Sequence, residues 1–210
     1  KTLVNQAAAE SDGFYRLENL DPVSANDGLN YNYSGVSLFS SIRNRNSSSL
    51  LNKLGFRSRG TNLNIRYPNN TLLMDSFVGI EYLISKTDVQ KYGFHKIGEE
   101  ENYRLYKNDY ALPLAFLAPK ESLTVSLSEN DNLGNQTALF KNFFNFHPIS
   151  VINSKNTTIN DAGNSTTFTE IEPNIAKEIT WEVTVPANSQ AYLSLYPSNF
   201  GKLKSSNVTI

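Results

Sequence analysis

The residues best suited to ligand binding lie in one polar segment, residues 26–41, where aromatic rings are interspersed with amides, hydroxyls and a carboxylate. Exposed aromatic rings can stack on the apolar faces of sugars, and sugar hydroxyls hydrogen-bond to Asp, Asn and Ser. In such a site the carboxylate would accept hydrogen bonds, the rings would supply a stacking face and the Ser hydroxyls would donate at the rim. The candidate carbohydrate-binding residues are Asp27, Tyr33, Phe39, Ser40 and Ser41.

The same segment allows a purely structural interpretation. Ordinary connections need about four to six residues, so this one is long. Asn-Asp-Gly at 26–28 and Asn-Tyr-Ser-Gly at 32–35 are turn sequences. A loop pinned by its own aromatic rings, with Asp27 capping a turn, would use these residues without any ligand. The sequence leaves both interpretations open.

No other group of residues forms a catalytic or metal-binding pattern. The chain has no Cys, and neither His95 nor His147 has a partner at i+4 or a carboxylate at ligand spacing. The acidic run 99–101 follows Gly98 in a polar stretch, which favours a solvated loop over a catalytic acid pair. There is neither a Gly-rich phosphate loop nor a G-x-S-x-G elbow. We therefore predict no catalytic residue, no metal and no cofactor.

Charge and hydropathy exclude two further classes. The 210 residues carry 19 Lys and Arg against 20 Asp and Glu, so no net field would attract nucleic acid. The longest mostly apolar stretch, 110–119, has ten residues including two prolines, whereas a spanning helix needs roughly 20. Because the chain starts with Lys1 and has no basic-then-apolar leader, we expect a piece of a longer protein.

Hydrophobic periodicity predicts an α+β fold. A mixed α/β part is expected over residues 1–130 and an antiparallel, sandwich-like β part over 131–210, although the two could form one continuous unit. Predicted helical segments are 1–10, 47–54 followed by Gly55 in the left-handed conformation, 87–93, and a helix with Asn135 as its N-cap. Predicted strands are 14–18, a buried strand ending at 84, a hairpin of 103–106 with 112–117, and 166–171, 178–185, 191–196 and 203–210.

One strand face suggests a buried aromatic residue. Ile179, Trp181, Val183 and Val185 alternate with polar residues, so Trp181 should be buried against the hairpin strand 191–196. Removing a buried Trp side chain costs about 3 to 5 kcal/mol.

Several motifs occur in a specific order along residues 14–145. They are Phe14-Tyr-Arg-Leu-Glu18, Asn26-Asp27, Tyr33 to Ser41, Leu54-Gly55, Asp75 to Ser85, Leu105-Tyr-Lys-Asn108 with Ala111-Leu-Pro113, and Asn135-Gln136. This set resembles the extracytoplasmic part of bacterial YfhO-type membrane proteins.

The resemblance implies a multi-span protein similar to GT-C glycosyltransferases. These enzymes take sugar from a polyprenyl-phosphate donor outside the cytoplasmic membrane, with roles proposed in glycosylating teichoic acids of Gram-positive cell walls. Their catalytic carboxylate typically lies in a loop near the first span. No span is present in this sequence, so the fragment alone is expected to be non-catalytic.

Two functions follow from the resemblance. In the first, the chain lies on the extracellular face of the cytoplasmic membrane and binds or positions a glycan acceptor. Its partners would be the rest of its own membrane-spanning chain and a cell-wall glycan or polyprenyl-linked sugar. In the second, it is a non-catalytic structural or protein-interaction module. A free-standing hydrolase is disfavoured because no acid pair can be named.

Overall fold

The computed structural model describes residues 1–42, 44–59, 64–118, 120–129, 131–140, 150–161, 166–182 and 184–192. The helices are α1 (Thr2–Glu10), α2 (Asp27–Tyr31), α3 (Arg45–Lys53), α4 (Leu72–Phe77) and α5 (Asn132–Leu139), with a 3-10 helix over Lys120–Thr124. The strands are β1 (Arg16–Asn19), β2 (Leu38–Phe39), β3 (Arg57–Arg59), β4 (Asn64–Arg66), β5 (Ile80–Ser85), β6 (Phe94–Glu100), β7 (Tyr103–Asn108), β8 (Ser150–Lys155), β9 (Thr157–Asp161), β10 (Thr166–Glu170) and β11 (Glu178–Glu182).

The helices and mainly antiparallel sheets confirm the α+β class. Contacts divide the chain into two compact units, Lys1–Phe143 with Tyr192–Ile210, and Phe144–Ala191. The first unit contains a four-stranded sheet in the order β1-β5-β7-β6 and a three-stranded sheet in the order β2-β4-β3. The second contains two antiparallel pairs, β8 with β11 and β9 with β10. A sandwich arrangement of these pairs stays a prediction.

Strand β5 of the four-stranded sheet is buried on both faces, which explains its apolar run. β1 lies parallel to β5, and the other pairings are antiparallel. Tyr82 and Ile84 point to one face, where they meet the buried face of α1. Leu83 points to the other, where it packs with Phe56 and Met74. The central strand therefore joins two hydrophobic clusters.

Two helices confirm the sequence predictions closely. In α1 the residues buried against the sheet are Leu3, Val4 and Ala7, at the spacing of one helical face. α3 starts two residues earlier than the predicted 47–54, because its N-cap is Asn44, whose side chain accepts hydrogen bonds from the backbone of residues 46 and 47. Gly55 follows this helix with φ 93°, as predicted.

Three local predictions are wrong. Residues 87–93 form no helix, and Lys91 from this stretch is buried instead. Strand β7 pairs with β6 and not with residues 112–117, and a two-residue turn at 101–102 joins the two strands. Glu101 takes the left-handed conformation in this turn, with φ 54°, where hairpins commonly have Gly or Asn, so the sequence carries no Gly that would signal the turn. The N-cap of α5 is Asp131, and Asn135 lies buried inside the helix. There its amide bonds to backbone carbonyls on α3 and at residue 128.

In the second unit, β10 confirms the strand predicted at 166–171, but Trp181 is not buried. β11 pairs with β8 with a register shift between Thr180 and Trp181, and none of residues 178–182 is buried, so this two-stranded pair lacks the covered face that would bury Trp181. Trp181 is 39% exposed and contacts Phe168 edge to face, with ring centroids 6.0 Å apart. Its predicted partner strand 191–196 does not form at residues 191–192, and residues 193–210 lie outside those described.

Candidate functional site

Two adjoining grooves, which we together call the Tyr33 groove, lie beside residues 26–41, the segment predicted to bind a ligand. Their volumes are about 310 and 370 Å³. Five residues line both grooves, namely Phe14, Gly28, Leu29, Tyr33 and Ser34. Asn32 lines the first groove, and Arg16 and Asn26 line the second. The Tyr33 groove therefore combines aromatic and aliphatic surface with amide, hydroxyl and guanidinium groups.

Close backbone packing holds Tyr33 in place. The short helix α2 ends at Asn32, which adopts the left-handed conformation with φ 61°. The Tyr33 N–H then donates to the Gly28 carbonyl at 2.9 Å. A Cβ atom at Gly28 would lie 2.8 Å from the Tyr33 carbonyl oxygen, closer than real side chains approach. A Cβ at Gly35 would lie 3.4 Å from the Tyr33 ring. Glycine at these positions therefore lets the ring sit against the loop.

Hydrogen bonds from strand β1 also hold the loop that carries Tyr33. The Leu17 N–H donates to the Ser34 carbonyl at 2.8 Å. The buried carboxylate of Glu18 accepts hydrogen bonds from the Ser37 N–H and hydroxyl, both at 2.8 Å, and from the Val36 N–H. Burial raises the pKa of Glu18 above its usual value, and these hydrogen bonds only partly oppose the effect. Glu18 thus ties the groove wall to the central sheet.

Asp27 has a structural role inside the loop. It is only 4% exposed, and its carboxylate accepts hydrogen bonds from the Asn19 side chain, the Val23 N–H and the N–H and hydroxyl of Ser24, at 2.7 to 3.2 Å. The neighbouring Asn26 side chain bonds to both the N–H and the carbonyl of Phe39. These contacts fit the structural interpretation for Asp27.

The structure does not gather the five predicted binding residues around one groove. Tyr33 lines it, while Asp27 is buried. Phe39 is 46% exposed on β2, and the Ser40 hydroxyl is engaged with the backbone of residue 42. Ser41 is exposed. Carbohydrate binding by this set stays a prediction, with Tyr33 as its best-placed member.

Sequence reasoning missed the part of the groove wall that lies outside residues 26–41. Phe14 is 49% exposed, and the Arg16 guanidinium carbon lies 4.9 Å from the centre of its ring. Within the described part of the chain, the side chains of Asn32 and Ser34 make no hydrogen bond, so both can meet a ligand. The alternating pattern of residues 14–18 predicts a strand, but β1 begins at Arg16 and leaves Phe14 before the strand, where it lines the groove.

Replacing Asp27 with Ala should destabilise the chain by about 2 kcal/mol, because several loop donors lose their acceptor. Thermal or urea unfolding measures this change. Asp12→Ala is the control, because the Asp12 side chain is exposed, and it should change stability by less than about 0.5 kcal/mol. An Asp27→Ala chain as stable as the wild type would contradict the structural role.

A second polar cluster is closed to solvent. Asp75 in α4 and Lys91 form a buried ion pair, and the Tyr67 hydroxyl donates to the other Asp75 oxygen at 2.8 Å. Lys91 also donates to the Asn70 carbonyl and, at 3.1 Å, to the Asn69 side chain. Burial raises the pKa of Asp75 to about 6, despite the opposing effects of Lys91 and Tyr67. Burial also lowers the pKa of Lys91.

This ion pair belongs to a network that joins α4 to α5. The N-cap of α4, Thr71, donates to the Gln136 side chain at 2.8 Å. Gln136 in turn donates to the Leu54 carbonyl at 3.0 Å, and Asn70 donates to the same carbonyl. Since protein groups satisfy Asp75 and Lys91, we interpret the cluster as structural.

Comparison with known protein families shows what kind of protein this chain comes from. The family described as bacterial membrane protein YfhO matches residues 1–210. The chain belongs to this family. The resemblance seen in the sequence motifs is thereby confirmed. No curated protein and no solved structure gives a significant match.

The described residues of this YfhO-family chain contain neither a membrane-spanning helix nor a metal-binding cluster. Among the helices in its described residues, none has the length and apolarity required to cross a bilayer. The described residues also contain no cluster of three or more His, Asp or Glu side chains that could hold a metal ion.

Proposed function

We propose that this YfhO-family chain is an extracytoplasmic domain that binds a glycan acceptor in the Tyr33 groove. The full membrane protein would use the domain during glycosylation of teichoic acid in the cell wall. The observation that carries the proposal is the lining of the groove, where Phe14 and Tyr33 lie with Asn32 and Ser34, whose side chains make no hydrogen bond to the described residues. Aromatic faces and neutral hydrogen-bonding groups together match the two surfaces of a sugar ring.

The charges around the groove favour a polymer that carries phosphate. Arg16 lines one side, and among the described residues no Asp or Glu lines either groove, since Asp27 and Glu18 are buried. A guanidinium beside a stacking surface can pair with a phosphodiester linkage between sugars or polyols. Teichoic acids carry such linkages.

The groove is built for binding and not for glycosyl transfer. Hydrolysis or transfer at a glycosidic bond needs an acid or base beside the sugar. The described lining residues supply no carboxylate or imidazole for that role. In this proposal the chemistry belongs to other parts of the full-length protein, and the groove positions the acceptor.

We expect Phe14→Ala to weaken binding of purified teichoic acid about tenfold, because an exposed stacking face is lost. Isothermal titration with the 210-residue chain measures the affinity. Since Phe14 is about half exposed, its removal should change the thermal midpoint little. Tyr33→Ala should weaken binding at least as much, and Tyr33→Phe should retain most of the affinity.

Tyr31→Ala is the matched control, because Tyr31 lies in the same loop and is partly exposed but does not line the groove. It should bind as the wild type does. Equal affinity of the wild type, Phe14→Ala and Tyr33→Ala, or no binding of teichoic acid at all, would contradict the proposal. The chain would then fit the structural or protein-interaction module.

A further inference from the structure

An uncharged apolar loop projects from the first unit at residues 110–117. Its sequence is Tyr-Ala-Leu-Pro-Leu-Ala-Phe-Leu, without a single charged residue. Leu114 is 67% exposed and Leu117 is fully exposed. Tyr110, Leu112 and Phe116 are 38 to 49% exposed. Several exposed apolar side chains within one short loop are typical of an interaction site, whereas single exposed apolar residues are ordinary.

The base of the loop is held firmly although its tip is exposed. The Leu112 N–H donates to the Ser76 carbonyl at 3.0 Å. The Phe116 ring packs edge to face on Phe77 in α4, with centroids 6.0 Å apart. Because both contacts are made on the protein side, the leucine side chains are presented outward and not folded back into the core.

We propose that this apolar loop docks on the surface of a lipid bilayer, with Leu114 and Leu117 entering the boundary between headgroups and acyl chains. The chain belongs to a family of membrane proteins, which favours a bilayer as the partner of this loop. Shallow insertion needs apolar side chains without charges, and this loop has them.

The flanks of the loop fit the headgroup region. Tyr110 stacks on Tyr92 at 5.9 Å between ring centroids, and the two hydroxyls lie 3.2 Å apart. Amphipathic aromatic rings are enriched at membrane interfaces. On the other flank, Lys120 is exposed and can contact lipid phosphates. Aromatic and cationic groups thus border the apolar tip.

The loop also lies next to the Tyr33 groove. A Cβ atom placed on Gly79 would lie 3.2 Å from the Leu112 carbonyl and 3.6 Å from the Arg16 guanidinium, which lines the groove. Lipid docking would therefore bring the groove close to the bilayer. This consequence rests on the proposed glycan binding, but docking itself does not.

The test uses vesicles of phosphatidylcholine with phosphatidylglycerol and the 210-residue chain. Cosedimentation should show binding of the wild type and a roughly hundredfold loss for the double variant Leu114→Asp with Leu117→Asp. Ile42→Asp is the matched control, because Ile42 is 89% exposed outside the loop, and it should bind as the wild type does. Equal binding by the double variant, or no binding by the wild type, would overturn the proposal.

A fluorescence measurement locates the contact. Since Trp181 is the only Trp in the chain, Leu117→Trp in a Trp181→Phe background reports on the loop alone. Its emission should shift to the blue on addition of vesicles and be quenched by brominated lipid. A shift that follows protein concentration without lipid would indicate a second copy of the chain and overturn the proposal. Because no teichoic acid is present, failure of docking is distinguishable from failure of glycan binding.

Discussion

Replacing Lys91 with Met should destabilise the chain by about 3 to 5 kcal/mol, the usual cost of removing one partner of a buried ion pair. The Asp75 carboxylate would stay fully buried and lose its cation, leaving Tyr67 as its remaining charge-stabilising side chain. The Asn70 carbonyl and Asn69 side chain would also lose a donor. Urea unfolding followed by circular dichroism measures the free energy.

Lys96→Met is the matched control for this experiment. Lys96 pairs with Glu99 at 2.9 Å, but both side chains are about half exposed, so the loss should be much smaller than that for Lys91→Met. The double variant Asp75→Leu with Lys91→Met should cost less than the sum of the single changes, since no unpaired charge is left. Similar costs for Lys91→Met and Lys96→Met would contradict the buried ion pair.

The same cluster should make stability depend on pH. Because burial raises the pKa of Asp75 to about 6, the folded state holds this proton more tightly than the unfolded state. The contribution of Asp75 to the free energy of unfolding therefore increases as the pH falls through about 6, and it decreases as the pH rises. The wild type should gain stability relative to Asp75→Asn between pH 7 and pH 5. If the wild type instead lost stability relative to Asp75→Asn between pH 7 and pH 5, the raised pKa of Asp75 would be contradicted.

Replacing Glu18 with Ala should cost about 3 kcal/mol or more, because two backbone N–H groups and one hydroxyl lose a charged acceptor. The loop carrying Tyr33 should also detach from β1. We therefore expect lower stability in urea unfolding together with weaker teichoic acid binding, although Glu18 does not line the groove.

The control for Glu18→Ala is Glu100→Ala at the exposed hairpin tip, which should change neither quantity. Ser37→Ala should have an intermediate effect, since it removes one of the three hydrogen-bond donors. A Glu18→Ala chain with unchanged stability would show that the carboxylate does not anchor the loop.

Sequence alone predicted the elements whose signals are local. The spacing of Leu3, Val4 and Ala7 defined α1, and Gly55 marked the end of α3. The apolar run of β5 indicated a buried strand, because both faces of that strand pack against other elements. The ordered motifs along the chain were also enough to indicate the YfhO family, which the family comparison confirms.

Only the tertiary structure decided which side chains line the groove and which are buried in hydrogen bonds or ion pairs. Asp27 looked suited to sugar binding, yet its carboxylate accepts four hydrogen bonds from Asn19, Val23 and Ser24. Phe14 looked like a strand residue, yet it forms part of the groove wall. The partners of Glu18 lie 18 and 19 residues away in sequence, and Lys91 lies 16 residues from Asp75. Helix and strand periodicity reports only which face of one element is apolar, whereas these pairings depend on how the whole chain brings distant segments together.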